Sequence, residues 1–545
     1  MAYVADWSDV RAHAHATGDG WGFWLTDKTI SPIGDLHGMH RIEGSDSVDE
    51  TDTMEMELPG DHPSVDKLLP VEDIDPDDPE LTWRKLIDES QFIITEGPEG
   101  HESRQTWRVH RIIWHTTGRQ APDWKYHRVT VECKHIRRYV EKITCRADPG
   151  SALAVQLKYR DFRAGQAIPV LKEYVLVNLM RDFQPRAISG GWSLWDQARW
   201  RNVNPDLWPA MVNPVHDNMT TIWTVLDARF DSASDLLAET LRSAGLMLTV
   251  EMWLPGDPQP APSHVTLTMP TIWIDIKSRQ FDTSATGTPL DFLRGLVRTF
   301  DRENNAPRVG LGDTPATAAG RLPWVVWRPE DMAGSEMDLT VVKSEDNTVT
   351  VGGKSPEILN KMIGAGSKSL FQGLAAGLAA VFPMFSPLIV AAGVFLGEAI
   401  GASLQDKLFA WQSFTDSVRK EAHGRYGYRD QVGAGDAWTL SAWQQGFSML
   451  REGAGMVSAE FEGGEQLAYR WGEHFRAGDQ QGLIFKGMVL STYVSKVVWS
   501  WETGIGWHYE ITLGDPRARE SVADVQQRSA QSIANGVKRM LTFVQ

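Results

Sequence analysis

Cysteine is nearly missing from this chain: 545 residues hold two, Cys133 and Cys145. Two thiols cannot build a disulfide framework, so folding in a reducing cytosol is expected. Positive charge is in deficit. There are 54 Lys and Arg against 71 Asp and Glu, a formal net charge of −17. Phosphate binding needs clustered Lys and Arg, so no sequence-specific nucleic-acid binding is expected. The opening MAYVADWSDVRAHAHATGDG lacks a basic segment followed by an apolar one, so export by a signal peptide is not expected either. Tyrosine is scarce, at 10 against 23 tryptophans. Large aromatics at that density suit wide packed interfaces or sugar-stacking surfaces. For Trp192 to Trp208, core or interface is the favoured reading.

Catalytic and metal-binding signatures are also lacking. There is no HExxH, no GxSxG and no Cys/His ladder beside the close pairs His13/His15 and His37/His40. VGGKS at Val351–Ser355 has Thr348 where a phosphate loop needs its first glycine. Asp73, Asp75 and Asp77 have calcium-loop spacing, but Asp78 and Arg84 stand where Gly and Glu are required. Asn218-Met-Thr220 is a glycosylation sequon in spelling only, since no secretion signal accompanies it. No enzyme activity, cofactor or metal is expected.

One long apolar run is present. Between Lys368 and Glu398 about 30 residues carry no formal charge, enough to cross a bilayer core. Pro383 and Pro387 split it, because proline removes a backbone donor and clashes with the preceding turn. The halves run from Ile363 to Phe382 and from Pro387 to Leu404. Gly373 and Gly377 are spaced for close helix contact, and Gly393, Gly397 and Gly401 repeat that spacing. The pattern predicts an apolar helical hairpin, either a buried plug or a segment released into a membrane.

Around this run the chain is patterned for β-structure at both ends. WGFWLTD, TDTMEMELPG, QFIITEG, TWRVHRIIW and YHRVTVEC read as strands, with Met54, Met56 and Leu58 on one face. HPSVDKLL reads as a helical turn and Glu72–Glu80 as a Pro-broken loop. IPVLKEYVLVNLMRDF puts Val170, Leu171, Tyr174, Val177 and Leu179 on one helical stripe. SASDLLAETLRSAG, LDFLRGLVRTFDRE, DKLFAWQSFTDSVRKEAHGRYG and AWTLSAWQQGFSMLREG read as helices. LMLTVEMWLPG and SHVTLTMPTIWIDIK read as a strand pair, and Asn304–Arg321 as a loop. From MVSAEFEGG onward strands return, through LAYRWGEHF, LIFKGMVLSTY, SKVVWSWE and WHYEITLGD, before a polar helix over Ser521–Met540. A weak repeat links the two β parts. Arg111–Trp114 resembles Lys496–Trp499, and each is followed by an alternating strand beginning at a histidine, His127 or His508.

MEMELPGDHPSVDKLL, TWRVHRIIW with YHRVTVECKHIRRYV, NTVTVGGKSP, FRAGDQQGLIFKGMVLSTYVSKVVW and WHYEITLGDPRARES together resemble the tail-hub, or baseplate-hub, minor tail proteins of long-tailed bacteriophages, particularly those infecting actinobacteria. The apolar insertion departs from the simplest hubs. The resemblance implies an α+β chain: two small antiparallel β-barrels with mixed middle domains and an apolar helical hairpin insertion. The expected divisions are 1–150 (first barrel), 151–342 (mixed α/β), 343–408 (hairpin), 409–455 (helical) and 456–545 (second barrel and final helix). Three copies would give a pseudo-six-fold ring closing the tail tube at the virion's tail tip, after assembly in the host cytoplasm. The implied partners are itself as a homotrimer, the distal tail and tail-tube proteins, the tape-measure protein and host membrane lipid. Ring-barrel strands would carry Ile112, Trp114, Val129, Val131, Val497, Trp499 and Ile511. The alternatives are a tail-associated cell-wall hydrolase and a pore-forming subunit.

Overall fold

The computed structural model describes residues 20–70, 78–98, 100–116, 127–184, 203–215, 223–243, 246–278, 336–354, 411–428, 455–485 and 488–515, with short pieces elsewhere. The chain divides into two compact units: Met1–Thr340 with Ser458–Pro516, and Val341–Val457 with Arg517–Gln545.

The first unit is mostly β. Its strands are β1 (Gly22–Thr26), β2 (Pro32–Asp35), β3 (Arg41–Ser47), β4 (Thr53–Pro59), β5 (Phe92–Glu96), β6 (Gln105–His115), β7 (Arg128–His135), β8 (Asp161–Gln166), β9 (Ala210–Val212), β10 (Trp223–Ala228), β11 (Leu246–Trp253), β12 (Thr271–Ser278), β13 (Val325–Trp327), β14 (Met337–Val342), β15 (Met456–Gly464), β16 (Gln480–Phe485), β17 (Met488–Glu502) and β18 (Gly506–Gly514). The helices are α1 (Val65–Leu68), α2 (Pro79–Asp88), α3 (Ala167–Phe183) and α4 (Ala233–Ser243). Alternation explains the strands: in β4, Met54, Met56 and Leu58 are buried while Thr53 and Glu55 face outward. The expected strands other than LAYRWGEHF form, as do the 65–68 turn, α3, α4 and the β11–β12 pair.

The two β ends do not make two separate barrels. They merge into one sheet of order β14-β15-β18-β17-β3-β4-β7-β6-β5-β1-β2, and no closed barrel occurs among the described residues. The cause is β3, which pairs with β4 on one edge and with β17 on the other. A second layer holds β9-β12-β11, the β8–β10 pair, α3 and α4 over their own core.

Some local expectations are overturned. α3 is not striped but buried nearly all round, including Lys172 and Asn178. A helix walled in by other elements has no wet face to pattern. Lys172 survives there because its ammonium pairs with Asp275 at 2.6 Å and donates to the Val215 carbonyl at 2.7 Å. The described part of the LDFLRGLVRTFDRE segment is strand, at Val297–Arg298 and Phe300–Asp301. Val297–Arg298 joins the edge of β17, so sheet pairing overrides helical spacing. LAYRWGEHF is a turn closed by the Trp471–Phe475 bridge, not a strand. Gly472, at φ +76°, takes a left-handed conformation inside it. The acidic loop ends earlier than expected, because Pro79 and Glu80 open α2.

In the second unit Thr348–Lys354 pairs antiparallel with Trp411–Thr415 and parallel with Gln431–Asp436. Trp411–Thr415 was expected to be helical; the helix starts only at Ser417 and ends at His423. Asp416 fixes that start, its carboxylate accepting from the Arg419 N–H at 3.0 Å. Val351–Lys354 are strand residues, so VGGKS is no phosphate cradle. The apolar run, with Gly373, Gly377, Pro383, Pro387, Gly393, Gly397 and Gly401, lies outside the described residues, as do 437–452 and the helix expected at Ser521–Met540. Among the described residues no helix is long and apolar enough to cross a membrane.

Candidate assembly site

The weak sequence repeat corresponds to a full structural one. β4-β7-β6-β5 and β15-β18-β17-β16 are neighbours in the same order, and each set follows the same order in the chain. All their pairings are antiparallel. Ile112 faces Val131 and Trp114 faces Val129; Val497 faces Ile511 and Trp499 faces Tyr509. The register of β6 on β7 shifts between Val109 and Arg111, and that of β17 on β18 between Val494 and Lys496. A bulge of this kind breaks pairing at one chosen point, so finding it at the matching point twice is informative. The hydrogen bond that closes each hairpin also matches: Val109 N–H donates to the Gln91 carbonyl at 3.0 Å, and Val494 N–H to the Asp479 carbonyl at 2.9 Å.

The equivalence corrects the sequence alignment by one residue. His127 corresponds to Trp507, not to His508. Val129, Val131 and Cys133 then match Tyr509, Ile511 and Leu513, all of them buried. Matching histidine to histidine would place outward residues on inward ones.

The two modules share one tryptophan-rich core. The ring of Trp471 stacks on Trp21 at 5.4 Å and on Trp499 at 4.9 Å, and Trp107 meets Trp499 edge-on at 6.3 Å. Trp507 lies 4.7 Å from Trp21. Trp200 and Trp208 are buried in the other core, so the described indoles of that stretch fill an interior. Of the proposed ring-strand residues, Val129, Val131, Val497, Trp499 and Ile511 are fully buried, whereas Ile112 and Trp114 are half-buried.

A polar seam locks the modules together at the end of β3. The Asp46 carboxylate accepts from Trp471 Nε1 at 2.8 Å and from the Ala477 N–H at 3.1 Å. Arg476 reaches the Glu102 carbonyl and, at 3.3 Å, the Arg104 carbonyl. Arg137 donates to the Val48 carbonyl at 2.6 Å. Asp46, Val48, Glu102, Arg137, Arg476 and Ala477 line a cavity of about 420 Å³ with Asp52, His135, Lys277 and Asp479. Burial, helped by Asp46, pushes the Asp52 carboxyl up to about 6. Burial holds the His135 imidazole down to about 3 and raises Asp479. Beside the cavity Arg104 is buried against Glu96 (2.8 Å) and Asp257 (2.6 Å). Arginines spent on carbonyls and carboxylates make a structural clamp. The cysteines add no nucleophile: both are buried, and burial raises both thiols, Cys145 to about 12. His37, of the close histidine pairs, bonds Asp35 at 2.5 Å and the Trp21 carbonyl at 3.1 Å.

Sequence reasoning missed β3 altogether. RIEGSDS carries a mid-strand glycine and runs into SVDETD, which reads as a loop. Only the exposed–buried alternation of Arg41, Ile42 and Glu43 pointed to a strand.

Residues 23–515 match the model of the Siphovirus ReqiPepy6 Gp37-like protein family, and the chain belongs to that family. No curated protein matches it. Among solved structures it is similar to a tail protein from Neisseria meningitidis (10% identity, TM-score 0.39, 91% of this chain and 97% of that one). It is also similar to prophage tail protein gp18 from Listeria monocytogenes (9%, 0.41, 94% and 99%). A third is the 43 kDa tail protein of prophage MuSo2 from Shewanella oneidensis (10%, 0.41, 91% and 99%). Likeness at this level identifies neither partner nor activity.

Proposed function

We propose that this chain is a structural protein of the siphovirus virion tail, and within it the tip hub: a homotrimer whose six β modules form a pseudo-six-fold ring. The carrying observation is the duplicated module. A chain holding two equivalent modules supplies six to a closed three-fold assembly, the number needed to seat on a six-fold tube. Family membership supports the tail setting. In this reading 1–150 and 456–545 carry the two β modules, 151–342 the mixed domain, 343–408 the hairpin and 409–455 a further small segment. The ring joins distal tail and tail-tube proteins. The glycine-notched hairpin packs about the axis, near the tape-measure protein, until host binding delivers it to membrane lipid during DNA ejection.

Mass photometry of the purified full chain tests the ring: a species near three times 60.9 kDa is expected, and monomers at every concentration would refute it. Liposome leakage by a peptide covering Ile363–Leu404 tests the hairpin separately. Failure of that peptide to partition would remove membrane delivery and leave the ring standing.

A further inference from the structure

We propose that the edge of β6 from Arg111 to His115 binds strand β14 of a second copy of this chain, antiparallel, as β3 binds β17 within one copy. This deepens the ring reading and rests on it.

The duplication supplies the argument. In the second module the first half of β17 is held by β16, and the second half of the same edge by β3, from Lys496↔Ser47 to Glu502↔Arg41. In the first module β5 covers β6 only as far as Arg108. Among the described residues no strand pairs with that edge beyond it. The side chains register the difference. Val497 and Trp499 are 0% exposed, whereas their counterparts Ile112 and Trp114 are half-buried. Among the described residues, the first module has no counterpart of the strand that covers the second.

The complementary edge sits at the other end of the sheet. β14 lies beside β15 as β3 lies beside β4, and among the described residues its far edge has no strand. Its core-facing Met337 and Leu339 are half-buried, while Ile42 of β3 is fully buried. The charges match as well. Arg108, His110 and Arg111 are exposed along β6, and Lys134 and Arg138 add to the positive field that lowers His110. Glu336 and Asp338 are exposed along β14. An open strand edge is a template for pairing with another chain. Two different edges that fit each other give a head-to-tail contact, the kind that forms a ring when the rotation between copies closes.

The test uses full-length chains. Cys133 and Cys145 are buried, so added cysteines report cleanly. Ile113→Cys or His115→Cys on one protein is mixed with Glu336→Cys, Asp338→Cys or Thr340→Cys on another, under mild oxidation. A disulfide-linked pair is expected from at least one mixture and from no single variant alone. Amides of Ile112–His115 in the unmodified chain should exchange more slowly in the assembly than in the dissociated chain. A trimer that gives neither cross-link nor protection would overturn the strand docking and leave the ring intact. Cross-linking by one variant alone would mean like edges meeting and would also overturn it. Chains that stay monomeric throughout would sink the ring reading as well.

Discussion

Gly44 carries the contact between the modules, and the structure sets the size of the effect of filling it. It sits on β3 directly opposite Trp499 on β17. A Cβ added there would lie 2.4 Å from Cζ2 of that indole. The ring cannot yield easily, because it is stacked on Trp471 at 4.9 Å and is fully buried. Gly44→Ala would gain roughly 0.4–1 kcal/mol by restricting the unfolded chain. Overpacking costs about 1–3 kcal/mol, so the clash wins and a net loss of about 1–2 kcal/mol is expected. Trp499→Phe removes the clashing ring atoms. Its Nε1–H has no acceptor among the described residues, so no hydrogen bond is lost. That change alone should cost about 1–2 kcal/mol, well under the 3–5 of truncation to alanine. The double variant should be more stable than the sum of the singles by about 1 kcal/mol. Urea unfolding with an unchanged slope is the assay. Additivity within about 0.3–0.5 kcal/mol would mean the two positions do not touch, and the seam described here would be wrong.

The seam should also show in pH dependence. Asp52 has a folded pKa of about 6, above its unfolded value of 3.8, so its contribution is present below 3.8 and lost as pH rises through about 6. His135 runs the other way: held near 3 against 6.5, its contribution is present above 6.5 and lost as pH falls through about 3. The two slopes oppose each other between the two carboxyl values, so wild-type urea midpoints should vary little there. Asp52→Asn should expose a rise of stability with pH, and His135→Gln a fall; parallel profiles for both variants would refute the assignment. Arg104→Met takes from the buried Glu96 and Asp257 carboxylates one of the two cations they share, leaving Arg11 at 3.1 and 2.8 Å. Because Arg11 still compensates both charges, a loss of about 1–3 kcal/mol is expected in the same unfolding assay, and a loss below about 0.5 would show that the clamp is slack.

Much of the β pattern was legible because half-buried strands alternate. TMEMELP, RVTVECKH and GWHYEITLG carry their inward faces in plain view. α3 was legible as a helix, but its burial was not, since Lys172 and Asn178 look like a wet side until Asp275 and the Arg146 N–H are known to meet them. Trp411–Thr415 and Val297–Arg298 failed for another reason. Short segments take the structure of the edge they join, and spacing over five residues or fewer cannot carry that information.

The duplication was half visible, and the half that was missed is the more instructive. Letters suggested aligning two histidines; geometry aligns His127 with Trp507. Side chains alternate faces at every residue, so only the inward set is constrained by packing, and a shared outward letter is free to be chance. The inward sets Val129, Val131, Cys133 and Tyr509, Ile511, Leu513 have no residue in common, yet fill equivalent positions. Packing asks for volume and apolarity rather than identity. What preserved the repeat is therefore the bulge at His110 and Ser495 together with the order of the strands, neither of which is written in composition. Gly44 is specified by name, because only a missing side chain lets β3 lie against Trp499 and so bring both modules into a single sheet.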